Sequence, residues 1–323
     1  MKRLKFMDFC AGIGGGRLGL EKAGCECVGY SEIMPASVKT YNILHNAKNE
    51  KNFGDLTKIN IDELPDFDIM IAGFPCQAFS IMGQRKGFED ERGQIIYHLI
   101  KILKAKNIPY FILENVKGLI NHDKGKTLET IKTELESAGY YLGYKVLNSV
   151  DYGVPQMRER IYFVGIKKDK IKNGKYKWSD KIPTPRIEEY LCDNNSTILD
   201  SDDKGLQKYL SNKYNKDRVN LNKILSEDYL VIDTRQSDLR EYRGKVPTLR
   251  TGRHGILYVK NGKFRRLSGF ESLLLQGFDK ESAKRASEEM CEVDLLSQAG
   301  NAMTASVIET LAKSLVEYIG DKF

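Results

Sequence analysis

One cysteine of the sequence, Cys76, is a candidate for a reactive thiol. Cys76 lies in the stretch G-F-P-C-Q-A-F-S over residues 73–80, directly after an apolar run over residues 68–72 that predicts a buried strand. A cysteine flanked by proline and a polar glutamine at a strand end is typical of a reactive thiol rather than of inert packing. Cys76 is therefore the candidate nucleophile.

Charged residues beside two other apolar runs could assist such a thiol. Glu114 emerges from the run F-I-L-E-N-V over residues 111–116, where an unpaired buried carboxylate is costly, so it should pair with a cation or hold a proton. Arg158 and Arg160 alternate by two where another strand begins, which predicts that both point to one face. Two like charges on one face indicate an anionic partner, such as a phosphate or Glu114.

A glycine-rich turn near the start of the chain is typical of a nucleotide site. The stretch D-F-C-A-G-I-G-G-G-R-L-G over residues 8–19 reads as a strand, a turn and a helix, and glycine allows a ligand to approach the backbone closely. Glu32 ends the next predicted strand, where an acid would meet ribose hydroxyls, and Asp55 would hold an adenine amino group. These features predict an adenosine pocket, for either a dinucleotide or S-adenosylmethionine.

Strands and helices alternate over the first half of the chain and would position these residues. Strands are predicted over residues 4–9, 25–30, 68–72, 110–113 and 161–166, and helices over 17–23, 36–44, 95–105 and 127–138. This pattern predicts an α/β fold, with βαβ units around a largely parallel sheet. Ligands of such sheets bind beyond the carboxyl ends of the strands, where the candidate residues fall.

The second half of the chain is less regular and carries the excess positive charge. Residues 167–230 are rich in Lys, Asn, Asp and Ser and show weak periodicity. Residues 235–266 hold ten Lys and Arg against two acids, a charge of +8, whereas the rest of the chain has 41 basic and 42 acidic residues. Such a concentrated basic segment predicts contact with a phosphate backbone.

Composition also disfavours several classes of protein. The six cysteines show no paired C-x-x-C spacing and no nearby histidine pattern, so we expect free thiols and no metal. No run approaches the roughly 20 apolar residues of a membrane span. The start of the chain reaches an acid too soon for a secretion signal. A cytoplasmic protein without a membrane association is the expectation.

Four motifs in order resemble the DNA cytosine-5 methyltransferase family. They are D-x-x-x-G-x-G-G at residue 8, G-F-P-C-Q-x-F-S at 73, E-N-V at 114 and Q-x-R-x-R at 156, followed by Q-A-G-N-A at 298. The resemblance covers nearly the whole chain. The length of the chain is similar to that of the compact bacterial enzymes of restriction-modification systems. It implies a Rossmann-like S-adenosylmethionine-dependent methyltransferase fold with a mostly parallel sheet and a smaller, irregular target-recognition domain.

The resemblance implies a reaction and a cofactor. Cys76 would add to carbon 6 of a flipped-out cytosine in duplex DNA, Glu114 would hold ring nitrogen 3, and Arg158 and Arg160 would complete the catalytic set. S-adenosylmethionine would donate the methyl group to carbon 5 and leave as S-adenosylhomocysteine. The implied cofactor-binding residues are Asp8, Cys10, Ala11, Gly12, Ile13, Gly14, Gly15, Glu32, Ile33, Asp55, Leu56, Pro75, Asn301 and Ala302.

Two departures from the family pattern concern adenine. Many members carry phenylalanine where Cys10 stands, and some carry tryptophan where Ile33 stands. Both aromatic rings would face the adenine, so weaker stacking is expected here. Cys10 is not interpreted as a second nucleophile.

The resemblance also implies contacts with DNA and a domain division. Residues 78–93 would close over the flipped base, and Thr248 would contact a phosphate near it. The implied DNA-binding residues are Ser80, Gln84, Arg85, Lys86, Arg235, Thr248, Arg250 and Arg253. The predicted domains are a catalytic domain over 1–188, a target-recognition domain over 189–285 and a returning segment over 286–323. A monomer is expected, paired in function with a cognate restriction endonuclease.

Three other functions stay open from the sequence. An RNA cytosine-5 methyltransferase of the same family would use the same thiol and carboxylate on transfer RNA. An oxidoreductase would use the glycine turn for NAD, but it leaves Cys76, Glu114 and the two arginines unexplained. A DNA-binding module without catalysis would leave the complete set of chemical groups without a role.

Overall fold

The computed structural model describes residues 3–75, 95–171, 176–200, 203–216 and 219–320. The chain divides into two compact units. Unit 1 comprises Met1–Asn148, Glu159–Asp180 and Met303–Phe323, and unit 2 comprises Ser149–Arg158 and Lys181–Ala302. These bounds differ from the predicted domains, because residues 149–158, 181–188 and 286–302 pack with unit 2. The functional roles assigned to the domains stay a prediction.

Both units contain strands and helices. The strands are β1 Lys5–Phe9, β2 Glu26–Ser31, β3 Ile69–Gly73, β4 Tyr110–Val116, β5 Tyr140–Asn148, β6 Gln156–Met157, β7 Glu159–Lys167, β8 Ile198–Leu199, β9 Val231–Asp233, β10 Glu241–Tyr242, β11 Val246–Pro247, β12 Ile256–Lys260 and β13 Lys263–Arg266. The helices are α1 Gly15–Lys22, α2 Pro35–His45, α3 Ile95–Ala105, α4 Lys126–Ser137, α5 Lys204–Leu210, α6 Leu221–Leu225, α7 Gly269–Leu274, α8 Lys280–Glu289, α9 Glu292–Asn301 and α10 Ala305–Gly320.

A six-stranded sheet in the order β2-β1-β3-β4-β7-β5 forms the centre of unit 1. The pairs β2-β1, β1-β3 and β3-β4 are parallel, which confirms the predicted α/β class with a mostly parallel sheet. The pairs β4-β7 and β7-β5 are antiparallel. The antiparallel β7 therefore begins at the edge where β4 ends, so residues from both strands meet at the carboxyl edge of the parallel strands.

The edge strand β5 was missed from the sequence. Most of its residues are only partly buried or exposed, so it lacks the continuous apolar run that reveals β3 or β4. A strand covered on both faces is apolar throughout, whereas a solvated edge strand carries mixed side chains. Its pattern therefore carries little strand signal.

The helix α1 packs closely against the C-terminal part of unit 1. A Cβ atom on Gly15 would collide with the carbonyl oxygen of Met303, and one on Gly19 would lie 2.5 Å from the Cβ of Ile308. Glycine at these positions therefore permits close packing of the chain. The cofactor role implied for Gly15 stays a prediction, since the structure shows this residue in contact with Met303.

Unit 2 holds a five-stranded antiparallel sheet in the order β10-β9-β12-β13-β8 and a small parallel sheet of β11 and β6. Alternate residues of β12 enter two different hydrophobic clusters: Ile256 and Tyr258 enter one, and Leu257 and Val259 enter the other. Both faces of this strand are therefore covered. The unit is more ordered than the predicted irregular domain, and its sheet escaped prediction because several strands have only two or three residues.

Three further properties concern the part of the chain that the structure describes. No helix there is both long and apolar enough to cross a bilayer. No group of three or more metal-ligating side chains occurs among the same residues. The five described cysteines are free thiols, as expected: Cys10, Cys25, Cys27, Cys192 and Cys291.

A fully buried carboxyl group lies in the core of unit 2. Glu271, in the first turn of α7, accepts hydrogen bonds from the Tyr258 hydroxyl at 2.8 Å, from the Asp193 amide at 3.1 Å and from the Ser268 amide at 3.0 Å. Burial raises the pKa of Glu271 to about 7. The carboxyl group therefore couples the stability of unit 2 to pH.

The stability of the protein should fall as pH rises towards and through about 7. The folded state holds the Glu271 proton to a higher pH than the unfolded chain, so the unfolded state loses its proton first and the free energy of unfolding decreases over that interval. Thermal unfolding between about pH 5 and pH 8 checks this. The Glu271→Gln variant cannot titrate there and should show a shallower slope, so equal slopes in the two proteins would contradict the assignment.

Candidate functional site

The glycine turn after β1 is held by hydrogen bonds from several directions. Gly12 and Gly14 adopt positive φ angles of 57° and 82°, and the Gly14 amide donates to the Ala11 carbonyl at 2.8 Å. Glu32 accepts the Gly12 amide at 2.7 Å through Oε2. The predicted cofactor residues at the ends of β1 and β2 are therefore brought together, with Glu32 in contact with the turn.

An exposed apolar surface lies next to the Glu32 carboxylate. The other carboxylate oxygen, Oε1, accepts the amides of Ile33 at 2.9 Å and Met34 at 2.8 Å. The side chains of Ile33 and Met34 are 63% and 56% exposed, which is unusual for large apolar residues. A carboxylate beside an open apolar surface and a glycine turn fits an adenosine moiety, with the acid at the ribose and the apolar groups at the base.

Of two predicted cofactor residues at the end of β1, Asp8 lies inward and Cys10 is partly buried. Asp8 is fully buried and accepts the Arg17 amide at 3.1 Å, so it connects β1 to α1 instead of facing a ligand. Burial raises the pKa of Asp8 well above its ordinary value. Burial and the nearby Glu32 raise the pKa of the Cys10 thiol to about 12, which disfavours the thiolate that a nucleophile requires.

Asp55 and Leu56 start a short helical turn. The Asp55 carboxylate accepts the Thr57 amide at 2.9 Å and the Thr57 hydroxyl at 2.8 Å, and it lies 3.2 Å from Lys58. The hydrogen bonds from Thr57 lower the pKa of Asp55. Leu56 is buried in the core of unit 1. The adenine contact predicted for Asp55 stays a prediction, because these observations show only its capping role.

The G-F-P and E-N-V motifs lie side by side. Gly73 is paired with Glu114 in the parallel register of β3 and β4. The Asn115 side chain donates to the Phe74 carbonyl at 2.9 Å, so the backbone that leads to the exposed Pro75 is anchored to β4. Asn115 was absent from the predicted site residues, although it stands inside a motif used for the resemblance.

Glu114 forms an ion pair with Arg160. The distance between Arg160 Nε and Glu114 Oε1 is 3.2 Å, and the two side chains are 13% and 11% exposed. The antiparallel register of β4 and β7 pairs Arg160 with Val116, which brings the guanidinium to the end of β4. The predicted contact between Glu114 and an arginine is confirmed for Arg160.

Arg158 points elsewhere, so the prediction that both arginines share one face and partner is wrong. β6 ends at Met157 and β7 begins at Glu159, so the alternation expected of one continuous strand does not apply. The buried Arg158 guanidinium donates to carbonyl oxygens of Leu249 at 3.2 Å, Gly300 at 3.0 Å and Ala302 at 2.7 Å. These contacts indicate a structural role within unit 2.

The Q-x-R, T-L and Q-A-G-N motifs meet around Arg158. The Gln156 side chain donates to the Leu275 carbonyl at 2.9 Å and accepts the Leu249 amide at 3.2 Å. The Thr248 hydroxyl donates to the Met157 carbonyl at 2.5 Å. Asn301 is exposed at the end of α9. The phosphate contact predicted for Thr248 and the cofactor contacts predicted for Asn301 and Ala302 stay predictions.

Several arginines of the basic segment already have partners. Arg235 has a side chain only 5% exposed and donates to Asp233 at 2.6 Å and 2.8 Å and to the Thr248 carbonyl at 2.8 Å. Arg240 pairs with Asp238 at 3.2 Å, and Arg243 contacts Glu227 at 2.7 Å. The DNA-binding role predicted for Arg235 is therefore corrected, because its guanidinium is buried against a carboxylate.

Two exposed arginines of the basic segment lie on one loop of unit 2. Arg250 and Arg253 are exposed, and among the described residues neither forms an ion pair. Both line a cavity of about 220 Å³, together with His254 and Arg266. These arginines are available to an anionic partner. Ser80, Gln84, Arg85, Lys86 and the predicted nucleophile Cys76 lie outside the described residues.

The chain belongs to the C-5 cytosine-specific DNA methylase family, whose model matches residues 4–317. The type II methyltransferase M.HaeII of Haemophilus aegyptius is 37% identical over 321 residues, which cover 98% of this chain and 94% of that protein. The orphan methyltransferase M.Rho11sI of Bacillus phage rho11s is 46% identical over 178 residues, 54% of this chain. That match spans only 35% of the phage protein, about a third of its length.

A solved structure supports the fold alone. The Schizosaccharomyces pombe Dnmt2 methyltransferase has a TM-score of 0.67 to this chain and 19% sequence identity, with 99% of this chain and 100% of that chain covered. At 19% identity, the likeness shows that the two proteins share a fold.

The two arginines of Q-x-R-x-R should behave differently when changed to lysine. Arg158→Lys should lower the free energy of unfolding by about 2 kcal/mol, because one ammonium group cannot bond three carbonyl oxygens and leaves buried acceptors unsatisfied. Arg160→Lys keeps a positive charge beside Glu114, so the carboxylate is not left unpaired, and it should cost less, about 1 kcal/mol. Urea denaturation of both variants checks this. A larger loss for Arg160→Lys would contradict the structural role of Arg158.

Proposed function

We propose that this protein transfers a methyl group from S-adenosylmethionine to carbon 5 of a cytosine in duplex DNA. The observation that carries the proposal is the Glu114–Arg160 pair at the end of β4, across the register from Gly73. Gly73 stands three residues before Cys76 in the sequence. A carboxyl group and a thiol are the two groups that activation of the pyrimidine requires in this proposal.

The cofactor proposal is supported by the residues at the ends of β1 and β2. The family uses S-adenosylmethionine, and the turn at Gly12 and Gly14, the Glu32 carboxylate and the exposed Ile33 side chain fit its adenosine part. When bound, this cofactor supplies an electrophilic methyl group on a sulfonium centre. We propose no metal, since proton transfer and thiol addition are within reach of this chain's own side chains.

Cys76 acts on carbon 6 of the base in this proposal. Addition of its thiolate forms a sulfur–carbon bond and moves electron density to carbon 5, which becomes nucleophilic. Glu114, oriented by Arg160, contacts ring nitrogen 3 and offsets the charge that develops there. After carbon 5 has been methylated, a base such as water takes its proton, the carbon 5–carbon 6 double bond reforms and the sulfur leaves carbon 6, so Cys76 is regenerated as a thiolate.

The exposed arginines of unit 2 support DNA as the substrate. Arg250 and Arg253 lie on one loop beside Thr248, whereas Arg235 and Arg243 are engaged by acids. Unpaired cations on one loop fit the phosphate backbone of a duplex. Because thiol addition cannot reach a stacked base, the target cytosine must leave the helix before the reaction. A monomeric, cytoplasmic enzyme paired with a restriction endonuclease stays a prediction.

Transfer of a labelled methyl group tests the function. The protein should label duplex DNA, with bisulfite sequencing placing the product at carbon 5 of one cytosine in a short site. Labelling of transfer RNA without DNA would replace this proposal with the RNA enzyme. Hydride transfer with NAD and no methyl transfer would overturn the family's chemistry for this chain.

Glu114→Gln should lower kcat about 100-fold or more, because the amide cannot support charge at ring nitrogen 3 as the carboxyl group does. Affinity for S-adenosylmethionine should change little, since Glu114 acts on the base. Glu129→Gln is the matched control, because Glu129 is an exposed acid that pairs with Lys132 on α4. A defect of Glu114→Gln confined to cofactor affinity would contradict the role given to Glu114.

A further inference from the structure

A histidine at the end of α2, His45, contacts the backbone of the glycine turn. The Nε2 atom of His45 lies 3.1 Å from the carbonyl oxygen of Ile13. A carbonyl oxygen only accepts hydrogen bonds, so Nε2 carries the hydrogen and donates it. No role follows for this histidine from the sequence motifs, because it stands in α2 outside each of them.

This contact fixes the peptide that joins Ile13 to Gly14. The carbonyl of that peptide accepts from His45, and its amide donates to Ala11 at 2.8 Å. Both polar groups of the peptide are therefore occupied. Gly14 is the residue at which such a peptide could otherwise rotate, since glycine adopts φ angles of either sign. A hydrogen bond to the carbonyl removes this freedom and holds Gly14 at its φ of 82°.

Gly14 and His45 are also matched in shape. A Cβ atom on Gly14 would collide with the His45 imidazole and come within 2.8 Å of the Tyr41 ring. The absence of a side chain at Gly14 therefore lets the imidazole approach the backbone. Glycine serves two purposes here, because the positive φ and the close approach both exclude a larger residue.

The imidazole itself is held by aromatic packing. The ring centroids of His45 and Tyr41 lie 4.7 Å apart, and Tyr41 stacks on Tyr30 with a centroid distance of 4.0 Å. The Tyr41 hydroxyl accepts from Arg17 at 3.3 Å, and Arg17 forms an ion pair with Glu50 at 2.5 Å. The partly buried His45 ring thus packs against a buried group formed by Tyr41, Tyr30 and Arg17.

We infer that His45 is a positioning residue for the cofactor: it holds the Gly12–Gly14 turn in the conformation that receives S-adenosylmethionine. This inference rests on the proposed function of the turn. A ligand that binds a preformed turn does not have to order it, so loss of the His45 donor should weaken cofactor binding without changing the groups that act on cytosine.

Isothermal titration of the whole protein with S-adenosylhomocysteine, in the absence of DNA, tests this inference. His45→Leu should raise the Kd about tenfold, as expected for loss of one hydrogen bond and the order it imposes. His45→Gln can place an amide donor near the Nε2 position and should stay within about threefold of the unchanged protein. Lys48→Gln, an exposed change three residues further along, is the control and should leave the Kd unchanged.

The measurements separate failure of this inference from failure of the proposed function. Thermal unfolding of each variant shows whether it is folded, and His45→Gln provides the comparison if His45→Leu unfolds. Equal Kd values for the Leu variant and the unchanged protein would overturn the role of His45 and leave the cofactor site intact. A Kd for His45→Gln as high as that for His45→Leu would also overturn it. Failure of the unchanged protein to bind the cofactor product would overturn the proposed function itself.

Discussion

The structure depends on a charged pair that is nearly closed off from water. Glu114 and Arg160 come from adjacent antiparallel strands, and each would be costly at that position without the other. On its other side β4 pairs with β3, where Glu114 lies beside Gly73, three residues before Cys76 in the sequence. In the proposed function this carboxylate marks the end of the sheet at which the base is activated.

The geometry of the turn at Gly12 and Gly14 has two kinds of support. The first is hydrogen bonding, in which the side chains of Glu32 and His45 contact the backbone of the turn. The second is close packing, in which the Met303 carbonyl group occupies the space beside Gly15. Each glycine is needed for a different reason: a positive φ at Gly12 and Gly14, and close packing at Gly15. A turn held on several sides is rigid before any ligand arrives, which lowers the entropy cost of binding.

The sequence predicted the fold class and much of the first unit because buried parallel strands are apolar over their whole length. β3 and β4 are of this kind, and their ends carry the motifs. β5 was missed because a solvated edge strand has no such run. The second sheet was missed because β8, β9 and β10 are too short for a period to show.

The candidate site was predicted where a motif and a strand end coincide, as at Glu114. The prediction failed where the burial of a side chain depends on distant parts of the chain. Arg158 and Asp8 carry charges that suggest ligands, yet their partners are backbone groups that no local pattern reveals. Arg235 is different, because its acidic partner Asp233 is only two residues away but its burial comes from the fold. His45 was overlooked for the opposite reason, since a lone histidine at the end of a helix gives no signal until the turn above it is seen.

The central claim is that Cys76 attacks the base, and covalent trapping tests it most directly. Duplex DNA with 5-fluorocytosine at the target position cannot lose its substituent from carbon 5, so the sulfur–carbon bond should persist. Mass spectrometry of the digested complex should then find one methylated nucleotide attached to the peptide that contains Cys76. Attachment to Cys10 or another cysteine, or free methylated product without any adduct, would contradict the account.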